Sequence, residues 1–251
     1  MDKNINNYDV FIPCAKKDYN KLKFLIKSLD NLIDFNGDVY ISMETDEKLN
    51  IESNRNIFFY TDKEILDLKN IVFKHRHGWV YQQLLKLCQN VTKSDNFLVI
   101  DSDIYINQPL KIIENDKVNF FISERPVNTH IPYFYFMERY GIKRGFKLSF
   151  INDFMLFNKT KIENIFTLIG GKNKFIDFVH ENVSSECYLS EYELYGNFIF
   201  NNYHDYLNIL TINKICNGKD ALWTDNELVE YINNNKNNGS QVLEYHTWGF
   251  N

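Results

Sequence analysis

The sequence of 251 residues is 44% hydrophobic and 24% charged, a composition that excludes wholesale disorder and is typical of one folded domain. Its net charge of -5 argues against nucleic acid as the main partner, because phosphate binding requires a basic surface. No segment reaches the roughly 20 apolar residues of a membrane-spanning helix. The N-terminal residues lack the apolar stretch of a signal peptide, so a cytoplasmic protein is expected.

The four cysteines lie far apart in the sequence and form no Cys-x-x-Cys pair; they are Cys14, Cys88, Cys187 and Cys216. This spacing indicates neither a disulfide framework nor a zinc site. We therefore expect buried thiols in a protein of a reducing compartment.

Strand-like and helix-like patterns alternate in the first half of the chain. In chain order they predict a strand at 8–13, a helix at 20–32, strands at 38–42 and 57–60, a helix at 79–91 and a strand at 96–100. Short apolar runs indicate inner strands, and apolar residues at helical spacing indicate amphipathic helices. The alternation implies right-handed crossovers and an α/β fold, with a mainly parallel central sheet flanked by helices.

The second half of the chain is less regular. It predicts strands at 118–122 and 154–157, helices at 161–169 and 190–200, a late strand at 207–212, and an exposed loop or frayed helix end at 233–239. No Pro-, Ser- or Gly-rich linker interrupts residues 1–251, so a single domain is expected.

Two carboxylates follow the strand at 96–100, in the sequence Asp101-Ser102-Asp103. In an extended segment, residues two apart point to the same side, so both carboxylates can face one pocket. The carboxyl end of a parallel strand is where open α/β sheets bind ligands. Paired carboxylate oxygens suit Mg2+ or Mn2+, which would neutralise charge on a nucleotide diphosphate as its bond to a sugar breaks.

The acidic pair has other interpretations. Asp and Ser are common in turns at strand ends. Phosphatases of the haloacid-dehalogenase type also place Asp-x-Asp after an apolar strand, and Asp101 would then be the nucleophile. Those enzymes carry the motif on their first strand and have Thr or Val where this sequence has Tyr105. A third alternative is a non-catalytic protein that binds nucleotide sugars.

The helix before the acidic pair has a polar face opposite its apolar stripe. That face carries Trp79, Gln82, Gln83 and Lys86. If the helix packs beside the strand at 96–100, Lys86 can reach phosphates, and a glutamine can reach hydroxyls of the donor or the acidic loop. These four residues are therefore donor-binding candidates. The alternative is a solvated face.

Several segments together resemble the GT-A-fold glycosyltransferases, and most closely a poorly characterised bacterial group among them. They are the strand end Ile12-Pro13, the run Gly78-Trp79-x-x-Gln82-Gln83-Leu84-Leu85-Lys86-Leu87, Asp101-Ser102-Asp103, and Ser190-Glu191-Tyr192-Glu193-Leu194-Tyr195-Gly196. The resemblance spans most of the chain. It implies a Rossmann-like half that binds the nucleotide sugar, at about residues 1–106, and an acceptor-binding half at about 107–251.

The resemblance also implies site residues on the donor side. The loop that follows Pro13, with Cys14 and Lys16, is expected to contact the nucleotide. Asp101, Ser102 and Asp103 are expected to handle ribose, metal and diphosphate. His246, close to the C-terminus, is expected to be a third metal ligand beside Asp101 and Asp103.

A transferase also needs a base that takes the proton of the acceptor hydroxyl. Glu191 is the first candidate, because it lies at a helix start with Ser190 as the expected N-cap. Its alternative role is to complement the helix dipole. Asp153, before the strand at 154–157, is the second candidate; it could instead bind the acceptor or stabilise the transition state of a retaining transfer. The sequence does not fix whether transfer inverts or retains the anomeric configuration.

Aromatic residues at 131–136 are followed by Arg139, Arg144 and Lys147. Aromatic rings give sugars flat platforms, and basic residues suit a phosphorylated or lipid-linked acceptor; alternatively these residues are core and solvated surface. The sequence as a whole predicts a cytoplasmic, metal-dependent glycosyltransferase with a UDP- or GDP-sugar donor and a glycan or lipid-linked glycan acceptor. Bacterial surface polysaccharide synthesis, with peripheral contact at the inner face of the membrane, is the expected setting.

Overall fold

The computed structural model describes residues 7–47, 49–69, 71–122 and 130–247. Within these ranges the strands are β1 (Asp9–Cys14), β2 (Val39–Met43), β3 (Ile57–Thr61), β4 (Asn96–Ile100), β5 (Ile104–Ile106), β6 (Ile113–Glu114), β7 (Lys117–Ile122), β8 (Phe154–Asn158), β9 (Leu207–Thr211), β10 (Lys214–Lys219) and β11 (Val242–Thr247). The helices are α1 (Tyr19–Ser28), α2 (Asp62–Ile65), α3 (His77–Cys88), α4 (Ile131–Arg139), α5 (Lys159–Thr167), α6 (Lys172–Asn182), α7 (Glu191–Asn202) and α8 (Asp225–Asn235). The chain is a mixed α/β protein.

The central sheet has five strands in the order β3–β2–β1–β4–β8. β1 pairs in parallel with β2 and with β4, and β2 pairs in parallel with β3. β8 runs antiparallel to β4, with Phe154 opposite Ile100. The sheet is therefore mixed: its parallel part comes from the first half of the chain, and its antiparallel edge from the second. β1, β2 and β4 are buried along their whole length, as strands covered on both faces are.

A second sheet brings the end of the chain back to the first half. It has three strands in the order β10–β11–β5. β11 runs antiparallel to β5, with Glu244 opposite Ile104, and parallel to β10. Since β5 begins one residue after Asp103, this pairing places the C-terminal strand beside the acidic pair. β10 and β11 were not predicted, because Glu244 is buried and the Lys214 side chain is only 7% exposed, at positions where a strand pattern expects apolar residues.

The helices predicted at 20–32, 79–91, 161–169 and 190–200 are present as α1, α3, α5 and α7, with ends that differ by a few residues. Ser190 is the N-cap of α7, as predicted: its hydroxyl accepts a hydrogen bond of 3.2 Å from the Glu193 N–H. Helices α2, α4, α6 and α8 were not predicted. The solvated-face interpretation of α3 is wrong for Gln83 and Lys86, which are buried.

A continuous apolar cluster includes side chains of the central sheet and of helices α1, α3, α5 and α7. Gly196 lets α7 pack closely against Phe150 of this cluster, because a Cβ atom at position 196 would lie 2.4 Å from Phe150 Cγ. Three cysteines are buried, but Cys216 is exposed, so the prediction of four buried thiols is wrong at that position. None of the helices in the described ranges is long and apolar enough to cross a membrane.

Candidate active site

Polar side chains from distant parts of the sequence meet where β4 ends. Asp101 follows β4 directly, and its N–H donates a hydrogen bond of 2.8 Å to the Asp153 carbonyl at the start of β8. Ser102 is buried, and about a quarter of the Asp101 side chain is exposed. The carboxyl end of β1 lies beside this point, because β1 and β4 are parallel neighbours. This edge of the sheet is where open α/β folds bind ligands.

Asp103 contacts His246, the expected third metal ligand. Asp103 Oδ2 lies 2.7 Å from His246 Nδ1, and Glu244 Oε2 lies 3.2 Å from His246 Nε2. Burial alone would lower the pKa of His246, but its hydrogen bonds to Asp103 and Glu244 raise the pKa to about 11. Burial acts to raise the pKa of Asp103, and the hydrogen bond to His246 outweighs it and holds that pKa below its usual range. Two carboxylates thus surround one imidazole.

Lys86 of α3 lies between two carboxylates. Its Nζ is 2.6 Å from Asp101 Oδ1 and 2.5 Å from Glu191 Oε1. Burial opposes the charged form of Lys86, but both carboxylates raise its pKa above the usual value. Burial raises the pKa of Asp101 to about 7, against the lowering effect of Lys86. The ammonium of Lys86 therefore links the acidic pair to the start of α7.

Gln83 lies one turn before Lys86 on α3 and is 1% exposed. Its Oε1 accepts a hydrogen bond of 3.2 Å from the Glu191 N–H. No acceptor for its Nε2 is found in the part of the chain that the structure describes. A buried amide nitrogen without an acceptor costs about 1–3 kcal/mol, which a ligand oxygen at this point would remove. Gln82, on the same helix, is partly exposed.

Lys214 is a charged residue of this region that the sequence analysis missed. Its Nζ lies 2.6 Å from Asp153 Oδ2 and 2.5 Å from Glu244 Oε1, and donates a hydrogen bond of 2.9 Å to Asn152 Oδ1. Burial raises the pKa of Asp153 to about 6, although the charge of Lys214 lowers it. The contact is made between β10 and the start of β8. In the sequence, the only hint that Lys214 faces this region is that it lies two positions before Cys216, so that both side chains would be on one face of a strand.

The loop that follows β1 reaches the same region. Pro13 and Cys14 are buried at the end of β1, and Lys16 is exposed, with its N–H hydrogen-bonded to Glu44 at 3.2 Å. Burial raises the pKa of the Cys14 thiol, the charge of Asp18 adds to the rise, and a hydrogen bond with Ser102 opposes it. The loop therefore lies against Ser102, and the side chain of Lys16 is open to solvent.

The loop also carries a buried ion pair. Lys21 Nζ lies 2.5 Å from Asp18 Oδ1, and the Lys21 side chain is fully buried. Its charge helps to lower the pKa of Asp103. Lys17 Nζ donates a hydrogen bond of 3.1 Å to the Thr247 carbonyl of β11. The first loop and the last strand thus enclose Asp103 from two sides.

A cluster of partly exposed aromatic rings adjoins Glu191. Trp79 lies 5.6 Å from Tyr133, and Tyr133 lies 5.4 Å from Tyr188, between ring centroids. The guanidinium of Arg76, at the N-terminus of α3, lies 4.3 Å from the Trp79 ring. Burial raises the pKa of Tyr133, and the charge of Glu191 adds to the rise. The charge of Arg76 and its hydrogen bond to Tyr133 oppose it. We call Trp79, Tyr133 and Tyr188 the aromatic platform.

Other members of the aromatic and basic segment lie elsewhere. Phe134 and Phe136 belong to the core. Arg144 lies over the Phe134 ring at 4.2 Å and donates hydrogen bonds to the carbonyls of Phe146 and Lys147. The two phenylalanines are therefore core residues, which was the alternative to an acceptor site. Arg144 stabilises the loop that it belongs to, through these hydrogen bonds. Of the four aromatic residues at 133–136, Tyr133 is the one that joins the platform.

Of the three expected metal ligands, the structure brings Asp103 and His246 into contact but does not gather Asp101 with them. Among the described residues, the three side chains whose ligand atoms lie close enough to hold one ion are Cys216, Glu244 and His246. Asp101 and Asp103 offer carboxylate oxygens, and His246 offers an imidazole nitrogen in direct contact with Asp103. Oxygen-rich sets with one imidazole suit Mn2+, and the carboxylates suit Mg2+. A cation at this point would replace the proton that now lies between Asp103 and His246.

No protein-family model and no curated protein matches this sequence. Among solved structures, the crystal structure of mouse xyloside xylosyltransferase 1 in its apo form is similar, with a TM-score of 0.48 and 10% sequence identity. The similarity covers 95% of this chain and 97% of that chain.

Proposed function

We propose that this protein is a metal-dependent glycosyltransferase that moves a sugar from a nucleotide-diphosphate donor to a glycan or lipid-linked glycan. The observation that carries the proposal is the convergence of Asp103 and His246, 2.7 Å apart, at the carboxyl end of a buried parallel strand. A cation-binding pair at that edge, beside a lysine and an aromatic platform, suits a substrate with both a diphosphate and a sugar.

The donor side of the proposed site is the edge formed by β1 and β4. Asp101, Asp103 and His246 would hold Mn2+ or Mg2+, which when bound neutralises the negative charge of the departing diphosphate. In this proposal the nucleotide lies against the loop at 14–18, and the exposed Lys16 contacts it. The Nε2 of Gln83, which has no acceptor within the described ranges, donates a hydrogen bond to a donor hydroxyl.

The acceptor side is the aromatic platform and the start of α7. An acceptor sugar stacks on Trp79 and Tyr133, which brings one of its hydroxyls to Glu191. We propose that Glu191 takes the proton of that hydroxyl and that Lys86 orients its carboxylate through their contact of 2.5 Å. Asp153 is the alternative base, because burial raises its pKa to about 6, near the working range of a general base.

The proposal extends to the organisation of the chain. We infer a single GT-A domain, with residues of about 1–106 forming the donor half and about 107–251 the acceptor half. β11 is the exception, since it comes from the second half and carries His246 to the donor half. Bacterial surface polysaccharide synthesis, with the protein at the inner face of the membrane, is the biological setting that we propose.

The proposal is tested by a thermal-shift screen of UDP- and GDP-sugars with Mn2+, with Mg2+ and with EDTA. We expect one sugar nucleotide to stabilise the protein only with metal, and to be hydrolysed or transferred. Asp103→Ala should abolish the stabilisation. Asp205→Ala, which changes an exposed aspartate elsewhere, should leave it intact.

Other outcomes of the screen distinguish the alternatives. Stabilisation by no nucleotide sugar in either metal would refute the proposal. Turnover of p-nitrophenyl phosphate that disappears in Asp101→Asn would indicate a phosphatase instead. Stabilisation by a nucleotide sugar without hydrolysis or transfer to any glycan would indicate a binding protein.

A further inference from the structure

β10 and β11 present several potential metal ligands on one face. The two strands are parallel, with Cys216 opposite Glu244 and Gly218 opposite His246. Since side chains alternate between the faces of a strand, Glu244 and His246 lie on the same face of β11. Cys216 lies on that face of β10, next to Glu244.

The three ligand atoms are close enough for one ion. One ligand atom from each of Cys216, Glu244 and His246 lies within 4.8 Å of the others. Glu244 is 1% exposed, whereas Cys216 is exposed, so an ion from solvent can reach the group from the Cys216 side. Lys214 contacts Glu244 Oε1 at 2.5 Å, and the other oxygen, Oε2, faces His246.

We propose that Cys216, Glu244 and His246 form a site for Zn2+, which shares His246 with the oxygen-rich site at Asp101 and Asp103 but adds a thiol and a different carboxylate. A thiolate, an imidazole and a carboxylate are the ligands that Zn2+ accepts, usually in a tetrahedral arrangement whose fourth position takes water. Mg2+ discriminates against such a set, because it prefers oxygen ligands. The thiol of Cys216 and the Nε2 of His246 each lose a proton to solvent when the ion binds.

His246 belongs to both proposed sites, which has a consequence for binding. Its Nδ1 faces Asp103, and its Nε2 faces Glu244. An ion bound on the Cys216 side therefore shares its imidazole ligand with an ion at Asp103, and the two positive charges repel each other. We expect Zn2+ to weaken the binding of Mn2+, although only the zinc site needs the thiol.

Co2+ is the probe that tests the proposal, because a thiolate bound to Co2+ gives a near-ultraviolet charge-transfer band. Metal-free protein titrated with Co2+ should develop this band and saturate at one ion per chain. Zn2+ should abolish the band, and Mg2+ at the same concentration should not. Cys216→Ser, an isosteric change at an exposed position, should lose the band and bind Zn2+ at least about tenfold more weakly in calorimetry, equivalent to ~1.4 kcal/mol.

Two control variants separate this proposal from the proposed function. Cys187→Ser changes a cysteine outside the group and should keep the band. Asp103→Asn should also keep it, even though that variant removes a ligand of the oxygen-rich site. Absence of the band in the unmodified protein, or its persistence in Cys216→Ser, would overturn the zinc site whatever the outcome of the nucleotide-sugar screen.

Discussion

Asp103 Oδ2 lies 2.7 Å from His246 Nδ1, although 143 residues separate the two in the chain. Strand pairing explains the contact. β11 runs antiparallel to β5, and the Tyr245 N–H donates a hydrogen bond of 3.0 Å to the Asp103 carbonyl. The register of one short ladder thus sets the distance between a carboxylate of the first half and an imidazole near the end of the chain.

Removal of either member of this pair should weaken Mn2+ binding. We expect Asp103→Asn and His246→Asn each to raise the Kd for Mn2+ at least about tenfold, or ~1.4 kcal/mol, because each removes one ligand. Electron paramagnetic resonance of free Mn2+ measures the change. Asp205→Asn, at an exposed position, is the control. An unchanged Kd in both pair variants would place the cation elsewhere.

Lys86 should be essential to stability as well as to the site. Lys86→Met leaves Asp101 and Glu191 in a buried region without a counter-charge, which typically costs about 3–5 kcal/mol in the free energy of unfolding. Lys93→Met is the matched control, because Lys93 is 69% exposed in its pair with Asp38 and such pairs contribute about 0–1 kcal/mol. Urea unfolding measures both. Equal effects of the two variants would contradict the buried-pair interpretation.

The strand that precedes the acidic pair was predictable from the sequence, but the charge network around that pair was not. The acidic pair follows a strand that is buried on both faces, and such a strand is recognised in a sequence by its uninterrupted run of apolar residues. The contact of Lys86 with Glu191 joins residues 105 positions apart, and no local pattern encodes such a pairing. Lys214 was missed for a different reason: its strand buries charge, whereas sequence patterns associate burial with apolar residues.

The buried carboxyl of Glu193 should make the protein less stable as the pH rises. Burial raises the pKa of Glu193 to about 7, although Ser149 and the Phe150 N–H donate hydrogen bonds to it. An unfolded glutamate has a pKa of about 4.3. Between the unfolded and the folded pKa of Glu193, the folded state binds more protons than the unfolded state. The stability that the protonated carboxyl contributes is therefore fully present below the unfolded pKa and is lost as the pH rises to about 7.

The Glu193→Gln variant tests this linkage. The amide does not ionise, so the free energy of unfolding of the variant should fall less between pH 5 and pH 8 than that of the unmodified protein. The difference between the two slopes should be at most about 1.4 kcal/mol per pH unit. Chemical denaturation at each pH provides the measurement. Glu181→Gln, at an exposed position, should leave the slope unchanged. A steeper fall in Glu193→Gln would contradict the assignment.

The two candidate bases can be separated by isosteric variants. We expect Glu191→Gln to lower kcat by about 100- to 10,000-fold, the usual contribution of general-base catalysis, while the metal-dependent stabilisation by donor is retained. Asp153→Asn should have a smaller effect, because Lys214 and Glu244 hold the Asp153 carboxyl on the side of β10. If Asp153→Asn is the more damaging variant, and the acid limb of the pH–rate profile disappears in it, Asp153 is the base.

The aromatic platform should determine acceptor affinity. Tyr133 and Tyr135 are close on α4, but Tyr133 contacts Trp79 and Tyr188, whereas Tyr135 is 52% exposed. An aromatic contact contributes about 0.5–1.5 kcal/mol, so Tyr133→Ala should raise the KM for the acceptor saccharide about 2- to 10-fold. The KM for the donor should not change. Tyr133→Phe should restore the acceptor KM, since it keeps the ring, and Tyr135→Ala should leave it unchanged. Equal effects of the two alanine variants would mean that the acceptor binds away from the platform.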